Sequence, residues 1–327
     1  MSERLEKCLN CGALIDEEDL FCGNCGTEAP HREGREADQA TMSTLSFDCE
    51  SCGASMSYSA KEGTLRCPFC GSEKLKQKKD HKTIAPEAAI PFSIDRSQAE
   101  RLLRDALKKG YWRPSDLSDA AIIEKITPVY VPFWVFQAKV FSNWTADTSD
   151  LPYGARGDWR PVSGQHNAEY RGLLVGASGA LTPQETDAIG PFHLNAAVQP
   201  SSIDFDSYTV EDFKVSRKYA RPYARNGLEE LERQACDAEY VPPRSRNVKV
   251  NLRIQDMSSE PMLLPIWIMA YRYKDQVFRF LINGQTGKNY GQAPVSYAKI
   301  GVAIAVTVGV ALVFLAAMAV CAGIAGR

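Results

Sequence analysis

Eight cysteines near the N-terminus, between Cys8 and Cys70, constrain the fold of this chain more than any other feature. They form four Cys-x-x-Cys pairs, which are Cys8 with Cys11, Cys22 with Cys25, Cys49 with Cys52, and Cys67 with Cys70. Ten residues separate the first two pairs, and fourteen separate the last two. Each set of four has the spacing of a zinc ribbon, in which four thiolates hold one Zn²⁺ in a tetrahedron. The sequence therefore predicts two zinc ions, one for each ribbon.

A glycine follows the second cysteine of every pair, at Gly12, Gly26, Gly53 and Gly71. A tight knuckle that turns backbone N–H groups toward sulfur favours a residue without Cβ. A disulfide framework is disfavoured if the cysteines lie in a reducing compartment, and a rubredoxin-like iron site is disfavoured by the short interval between the pairs. Four thiolates leave no open metal position, so the sites are predicted to be structural, and modules this short are expected to need zinc to fold.

Charge helps to distinguish protein binding from nucleic-acid binding by the ribbons. The segment 1–28 contains seven acidic and two basic residues, a formal charge of −5, and such a surface repels phosphate. The second ribbon is followed by a short basic run, which is either a solvated linker or a contact for nucleic acid or anionic lipid: Lys74, Lys76, Lys78, Lys79 and Lys82. The whole chain has a formal charge of −2, which predicts no strong field for polyanions. Protein binding is the favoured interpretation.

The middle of the chain, about 86–297, is predicted to be an α+β domain with a mostly antiparallel sheet. Val131–Val135 reads Val-Pro-Phe-Trp-Val, and Leu264–Ile268 reads Leu-Pro-Ile-Trp-Ile. The two segments are a candidate internal repeat, in which Val131 corresponds to Leu264. Apolar periodicity predicts a helix before each copy, over about 94–109 and 222–240. The near-continuous apolarity of Val129–Phe136 indicates a strand that is buried on both faces.

The run from Ile300 to Gly326 carries no charged side chain. A helix of this length would be roughly 40 Å long, which exceeds the ~30 Å hydrocarbon core of a bilayer. We therefore expect one transmembrane tail anchor over 298–327. Lys288 and Lys299 before the run, and cysteine pairs that need reducing conditions, predict a single-pass protein of the cell membrane with its N-terminal bulk in the cytoplasm. The alternative to a transmembrane helix is that this run forms a helix buried in the core of the protein.

No arrangement of catalytic side chains stands out in the sequence. The motifs Gly-x-Ser-x-Gly and His-Glu-x-x-His are absent, and the Gly-rich stretches near Gly154 and Gly176 lack the lysine of a phosphate cradle. His166 and His193 could meet a carboxylate in space, so a hydrolase in the 154–193 region is a minor hypothesis. Cys236 and Cys321 are interpreted as small apolar residues. The sequence predicts a protein that is not an enzyme.

Several segments together resemble a bacterial family, the TFIIB-type zinc-ribbon-containing proteins, which are often labelled primosomal or superfamily II helicase homologues. The resemblance covers about 46–300 and rests on Pro91-Phe92, Tyr130–Trp134, Leu264–Trp267, Tyr271–Tyr273 and Asn283–Lys288. The helicase label finds no support, because the chain has no Gly-x-x-x-x-Gly-Lys-Ser/Thr motif and no room for two helicase lobes. The resemblance implies a membrane anchor that recruits a stomatin/prohibitin-like scaffold protein. The acidic first ribbon is additional to the simplest family pattern.

These observations predict six segments: a first ribbon at 1–28, a linker at 29–45, a second ribbon at 46–73, a linker at 74–85, the α+β domain at 86–297 and the anchor at 298–327. The predicted function is that of a non-enzymatic, tail-anchored membrane adaptor whose ribbons bind a cytoplasmic or membrane-associated protein, with residues 300–326 in the lipid bilayer. The alternative is a membrane-tethered nucleic-acid-binding protein that uses the second ribbon and its lysines.

Overall fold

The computed structural model describes residues 6–12, 14–15, 27, 45–58, 66–78, 83–108, 126–150, 154, 157–273, 276–291 and 296–325. The strands in this part of the chain are β1 (Glu6–Lys7), β2 (Leu14–Ile15), β3 (Leu45–Cys49), β4 (Ser55–Tyr58), β5 (Leu75–Lys78), β6 (Ala88–Ala89), β7 (Thr127–Thr148), β8 (Arg160–Gly176), β9 (Thr209–Glu211), β10 (Ser245–Tyr273), β11 (Gln276–Asn283) and β12 (Asn289–Gly291). The helices are α1 (Arg96–Lys108), α2 (Pro183–Ile189), α3 (Arg217–Glu239) and α4 (Tyr297–Ala325), with 3₁₀ turns at Leu194–Ala196, Pro200–Ser202 and Phe205–Ser207. Ten of the strands form one mixed sheet.

Two long antiparallel strands, β7 with 22 residues and β10 with 29, form the centre of this sheet. Both are rich in the β-branched and aromatic residues that suit a pleated surface. Val129–Phe136 is almost wholly buried, so the prediction of a strand covered on both faces is confirmed. The strand β8 pairs with the outer side of β7, and β11 pairs with the outer side of β10.

The two copies of the repeated pentapeptide are related by a local two-fold arrangement. Val131 pairs with Leu264, its own counterpart in the other copy, so a two-fold axis passes through this pair. The short strand β6 pairs in parallel with β10 at Met262, and β9 pairs in parallel with β7 at Val129. Since Met262 is the counterpart of Val129, each half of the sheet repeats the same sequence of short strand, helix, long strand and hairpin partner.

Each helix covers the tryptophan of the other half. Trp134 on β7 packs against α3 and donates its indole N–H to the Val215 carbonyl, just before that helix, at 2.8 Å. Trp267 on β10 packs against α1 and donates to the Ile94 carbonyl at 2.9 Å. A capping box in which Asp95 and Gln98 exchange hydrogen bonds starts α1. The two predicted helices are therefore confirmed, with α3 beginning five residues before the predicted start at 222.

The second ribbon belongs to the same sheet. Strands β5, β3 and β4 are neighbours in that order, and β4 pairs with β9 through Met56 opposite Glu211. Phe47, Met56 and Phe69 share one buried core with residues of β7, β10 and β11. The ribbon is thus joined to the central strands by hydrogen bonds and by a common apolar interior.

The predicted fold class is wrong in its balance of elements. The described chain is mostly sheet, with twelve strands against four helices, and the large sheet is mixed because β6 and β9 pair in parallel. The α+β prediction underestimated the length of the two central strands. Each strand continues well beyond its apolar segment into residues that alternate between polar and apolar. The predicted segment boundaries are not tested by these findings and stay predictions.

The predicted transmembrane helix and the cell-membrane localisation are also corrected. Helix α4 covers Tyr297–Ala325, and its side chains are described only to residue 312. Within the part of the chain that the structure describes, no helix is both long and apolar enough to cross a membrane. The predictions of a span over 298–327 and of the cell-membrane localisation that depended on it are therefore wrong.

Candidate metal centre

The four cysteines of the second ribbon converge in the structure. The ligand atoms of Cys49, Cys52, Cys67 and Cys70 all lie within 4.8 Å of one another. The Cys49 and Cys70 sulfurs are 3.6 Å apart, as are those of Cys52 and Cys67. A tetrahedron with Zn–S bonds of about 2.3 Å has sulfur atoms about 3.8 Å apart, so the four thiols fit a zinc ion and leave no open position.

Two knuckles with the same backbone geometry bring these sulfurs together. The Gly53 N–H donates to the Cys49 carbonyl at 2.9 Å, and the Gly71 N–H donates to the Cys67 carbonyl at 2.8 Å. Both glycines have positive φ, +78° and +72°, which L-residues with a side chain rarely adopt. The predicted role of the glycines is confirmed at these two positions.

The second knuckle is fixed to the central sheet. Phe69, which lies between Cys67 and Cys70, is completely buried in the common core. Its carbonyl accepts a 2.8 Å hydrogen bond from Nε of Arg279 on β11. Arg279 also donates to the Ala180 carbonyl at 2.8 Å and contacts the Glu185 carboxylate at 3.3 Å. One arginine thus joins the ribbon, the sheet and the start of α2.

The sulfurs strongly affect one another's protonation. Hydrogen bonds to Cys52 and Cys70, together with burial, raise the pKa of the Cys67 thiol well above its ordinary value. Hydrogen bonds from Cys52 and Cys67 lower the pKa of Cys70. Four sulfurs in such close contact can all be thiolates only if a cation compensates their charge, which is what Zn²⁺ supplies.

The first ribbon is described in part. Strands β1 and β2 pair as Glu6 with Ile15 and Lys7 with Leu14, and the Gly12 N–H donates to the Cys8 carbonyl at 2.9 Å. Gly12 has a φ of +69°, so Cys8 and Cys11 stand on a knuckle of the same kind as those of the second ribbon. Cys22 and Cys25 lie outside the described residues.

The lysine run after the second ribbon begins just before β5, the last strand of the sheet. Lys74 precedes β5 and Lys76 lies within it, and both are exposed. Lys76 is opposite Asp48 of β3. Lys78 ends the strand, and Lys79 and Lys82 lie outside the described residues.

A second polar cluster, around Glu232 of α3, was missed by sequence reasoning. The buried Glu232 carboxylate contacts His166 Nδ1 at 2.7 Å and accepts hydrogen bonds from the hydroxyls of Tyr170 at 2.6 Å and Ser142. These hydrogen bonds lower its pKa despite burial. The Cys236 sulfur lies 3.8 Å from the same carboxylate, so Cys236 is not the plain apolar residue of the sequence interpretation.

The parts of this cluster lie far apart in the sequence, on β7, β8 and α3, and no local spacing links them. The possible ligand atoms of His166, Glu232 and Cys236 lie within 4.8 Å of one another, but the Glu232 carboxylate already makes hydrogen bonds with three side chains of the protein. The arrangement is therefore a satisfied buried network. His193 takes no part in it, and its backbone N–H donates to the Gln285 side chain at 2.7 Å.

Comparison with known proteins identifies the class of the N-terminal module. Residues 7–29 match the family model of the zinc-ribbon domain, so the chain carries a zinc ribbon near its N-terminus. Together with the four-cysteine cluster of the second ribbon, this match supports zinc binding. A wider relationship to the TFIIB-type membrane family is not confirmed.

The chain is also similar to a particular protein, the uncharacterized protein YdjG of Bacillus subtilis (strain 168). The two are 25% identical over 313 residues, which cover 78% of this chain and 92% of YdjG. The similarity therefore extends far beyond the ribbon. No solved structure matches the chain.

Proposed function

We propose that this protein is a non-enzymatic adaptor whose zinc ribbons bind a partner protein. Each ribbon holds one zinc ion, the first through Cys8, Cys11, Cys22 and Cys25 and the second through Cys49, Cys52, Cys67 and Cys70. The observation that carries the proposal is the closed four-sulfur site built into the central sheet. Such a site stabilises a surface and offers no position to a substrate.

The acidic first ribbon is the part proposed to contact the partner. It lies before the sheet in sequence, and its formal charge of −5 over residues 1–28 opposes phosphate and suits a basic protein surface. The partner proposed from the family resemblance is a stomatin/prohibitin-like scaffold protein. Substitution of the first ribbon is the preferred test, because the second ribbon shares the core of the sheet.

The experiment is a binding titration of the zinc-loaded full chain with a purified stomatin/prohibitin-like scaffold protein. A Cys8→Ser/Cys11→Ser variant removes two ligands of the first ribbon, and Cys236→Ala serves as a matched loss of a cysteine that belongs to no ribbon. Binding that survives in Cys236→Ala and is lost with the ribbon supports the adaptor. A scaffold that fails to bind the wild-type chain, or binds all three proteins equally, contradicts it.

The second candidate is nucleic-acid binding at the second ribbon, and the exposed Lys74 and Lys76 at the end of the sheet favour it. Its signature is affinity for a mixed-sequence DNA duplex that falls steeply with salt and is lost after Lys74→Glu/Lys76→Glu. DNA binding at physiological salt, in a chain that binds no scaffold protein, would transfer the assignment to this candidate.

A further inference from the structure

In the part of the chain that the structure describes, one edge of the strand β8 carries no partner strand. Among the described residues it pairs only with β7, from Arg160 to Gly176. Most of this edge is polar, which is how proteins protect an exposed strand from pairing with other chains. The last four residues, Leu173–Gly176, are apolar and form one side of an open groove of about 650 Å³.

The corresponding edge in the other half of the sheet is occupied. Phe133 and Ile266 stand at the same position of the two repeated pentapeptides, so their partners Gly176 and Asn283 correspond as well. Leu173–Val175 of β8 is then equivalent to Phe280–Ile282 of β11. Those three residues pair antiparallel with β12, as Phe280 with Gly291, Leu281 with Tyr290 and Ile282 with Asn289.

The walls of the groove are those of a site for a strand. Helix α3 contributes Tyr223 and Leu231 on one side, and α2 contributes Pro183 and Thr186 on the other. Tyr223 and Leu231 are 57% and 38% exposed, so the groove presents large apolar side chains at the surface. In the occupied half, Leu102 of α1 covers the turn before β12, close to Gly287. On the side of α3, the groove thus resembles the occupied half without its last strand.

Charge indicates what would fill the groove. The charged side chains that line it are Asp187 and Glu230, both acidic. Glu230 is already paired with Arg233, whereas no ion pair among the described residues engages Asp187. In the occupied half, Lys288 directly precedes β12. Lys288 donates to the Gly190 carbonyl, and the acidic lining of the empty groove favours a segment that also carries a basic residue.

We infer that the edge of β8 at Leu173–Gly176 is a binding site for an extended segment of a partner protein. The segment pairs antiparallel with β8 as β12 does with β11, places apolar side chains between α2 and α3, and carries a lysine or arginine for Asp187. This is strand addition, in which backbone hydrogen bonds supply affinity and the flanking pockets supply specificity. The site lies outside both ribbons, so it goes beyond the proposed function.

The test selects peptides from a random heptapeptide phage library on the zinc-loaded full chain. Counter-selection uses an Asp187→Lys/Leu231→Lys variant, whose two positions are at the surface of the groove. The recovered peptides are expected to alternate apolar residues and to carry at least one basic residue. In fluorescence anisotropy with a recovered peptide, Asp187→Lys should weaken binding roughly tenfold, as loss of a partly desolvated ion pair does. Asp150→Lys, an equal charge change at the other end of β7, should leave it unchanged.

Two further measurements locate the peptide. Hydrogen exchange of the amides of Leu173–Gly176 should slow on binding. N-methylation of every second backbone amide of the peptide should abolish binding when those amides face β8, and should be tolerated when the other set of alternate amides is methylated. The Cys8→Ser/Cys11→Ser variant should bind the peptide normally, which separates this site from the ribbon adaptor. The inference is overturned if no peptide is enriched over the counter-selection, if protection falls elsewhere, or if both methylated sets bind equally.

Discussion

Replacing Phe69 by Ala tests whether the second ribbon is part of the central core. Phe69 lies in the knuckle between Cys67 and Cys70, but its side chain is 0% exposed and packs with residues of β7, β10 and β11. A ribbon that only bordered the sheet would expose this position. The substitution removes no metal ligand, so it separates loss of packing from loss of zinc.

The size of the effect follows from burial. Truncation of a fully buried phenylalanine costs about 3–5 kcal/mol, which combines the lost transfer free energy with the cavity left behind. At about 2–4 °C per kcal/mol for a large domain, the midpoint of thermal unfolding should fall by roughly 6–20 °C. Native proteins are stable by about 5–15 kcal/mol, so a large fraction of the stability of the sheet is lost.

The assay is thermal unfolding of the full chain followed by tryptophan fluorescence, because Trp134 and Trp267 are buried in the sheet and not in the ribbon. Zinc content is measured in parallel and should be unchanged. The matched control is Leu9→Ala in the first ribbon, where the side chain is 89% exposed. If Phe69→Ala leaves the tryptophan transition indistinguishable from that of the wild type, the ribbon does not share the core.

Three further outcomes follow from single side chains. Burial raises the pKa of Glu211 to about 8. The contribution of this group to the free energy of unfolding is therefore greatest below about pH 4.5 and declines, by up to ~1.4 kcal/mol per pH unit, until about pH 8. In urea unfolding at pH 6 and pH 8, the Glu211→Gln variant should lack this decline. Trp134→Phe and Trp267→Phe each remove one indole hydrogen bond. Each should lower the free energy of unfolding by about 1 kcal/mol or more. A loss of stability in only one of the two variants would contradict the equivalence of the two halves. Gly291→Ala places a Cβ 2.1 Å from the Phe280 ring, at a cost of about 1–3 kcal/mol, and should speed hydrogen exchange of β11 opposite β12.

The local features of the metal centre could be predicted from the sequence, because they depend on neighbouring residues. Cys49, Cys52 and Gly53 form one knuckle through hydrogen bonds between close neighbours in the chain. The same holds for α1, whose start is set by Asp95 and Gln98. Spacing and residue type are enough where the partners are close in the chain.

The attachment of the ribbon to the sheet could not be predicted, because it depends on pairs far apart in the sequence. Met56 meets Glu211 across β4 and β9, and the Phe69 carbonyl meets Arg279. The polar residues of 74–85 are equally typical of a linker between separate modules. The His166–Glu232 contact is of the same kind, since its members stand on β8 and α3. The run at 300–326 gave a different error, because its length and its lack of charged side chains were taken to predict a transmembrane helix, and no described helix meets the requirements of one.

The two-fold arrangement shows how the two halves depend on each other and where they differ. Because Trp134 is covered by the helix of one half and Trp267 by that of the other, neither half can bury its tryptophan alone, and the pair must fold as one unit. Two departures from symmetry lie at the edges of the described sheet. The ribbon strand β4 pairs with β9, whereas beyond β6 there is the bridge from Ala89 to Val198; and β12 pairs with β11, whereas no described strand pairs with the outer edge of β8. The ribbon beyond β9 and the edge of β8 at Leu173–Gly176 have no counterpart in the other half, and they are the two places where the protein binding proposed above is to be tested.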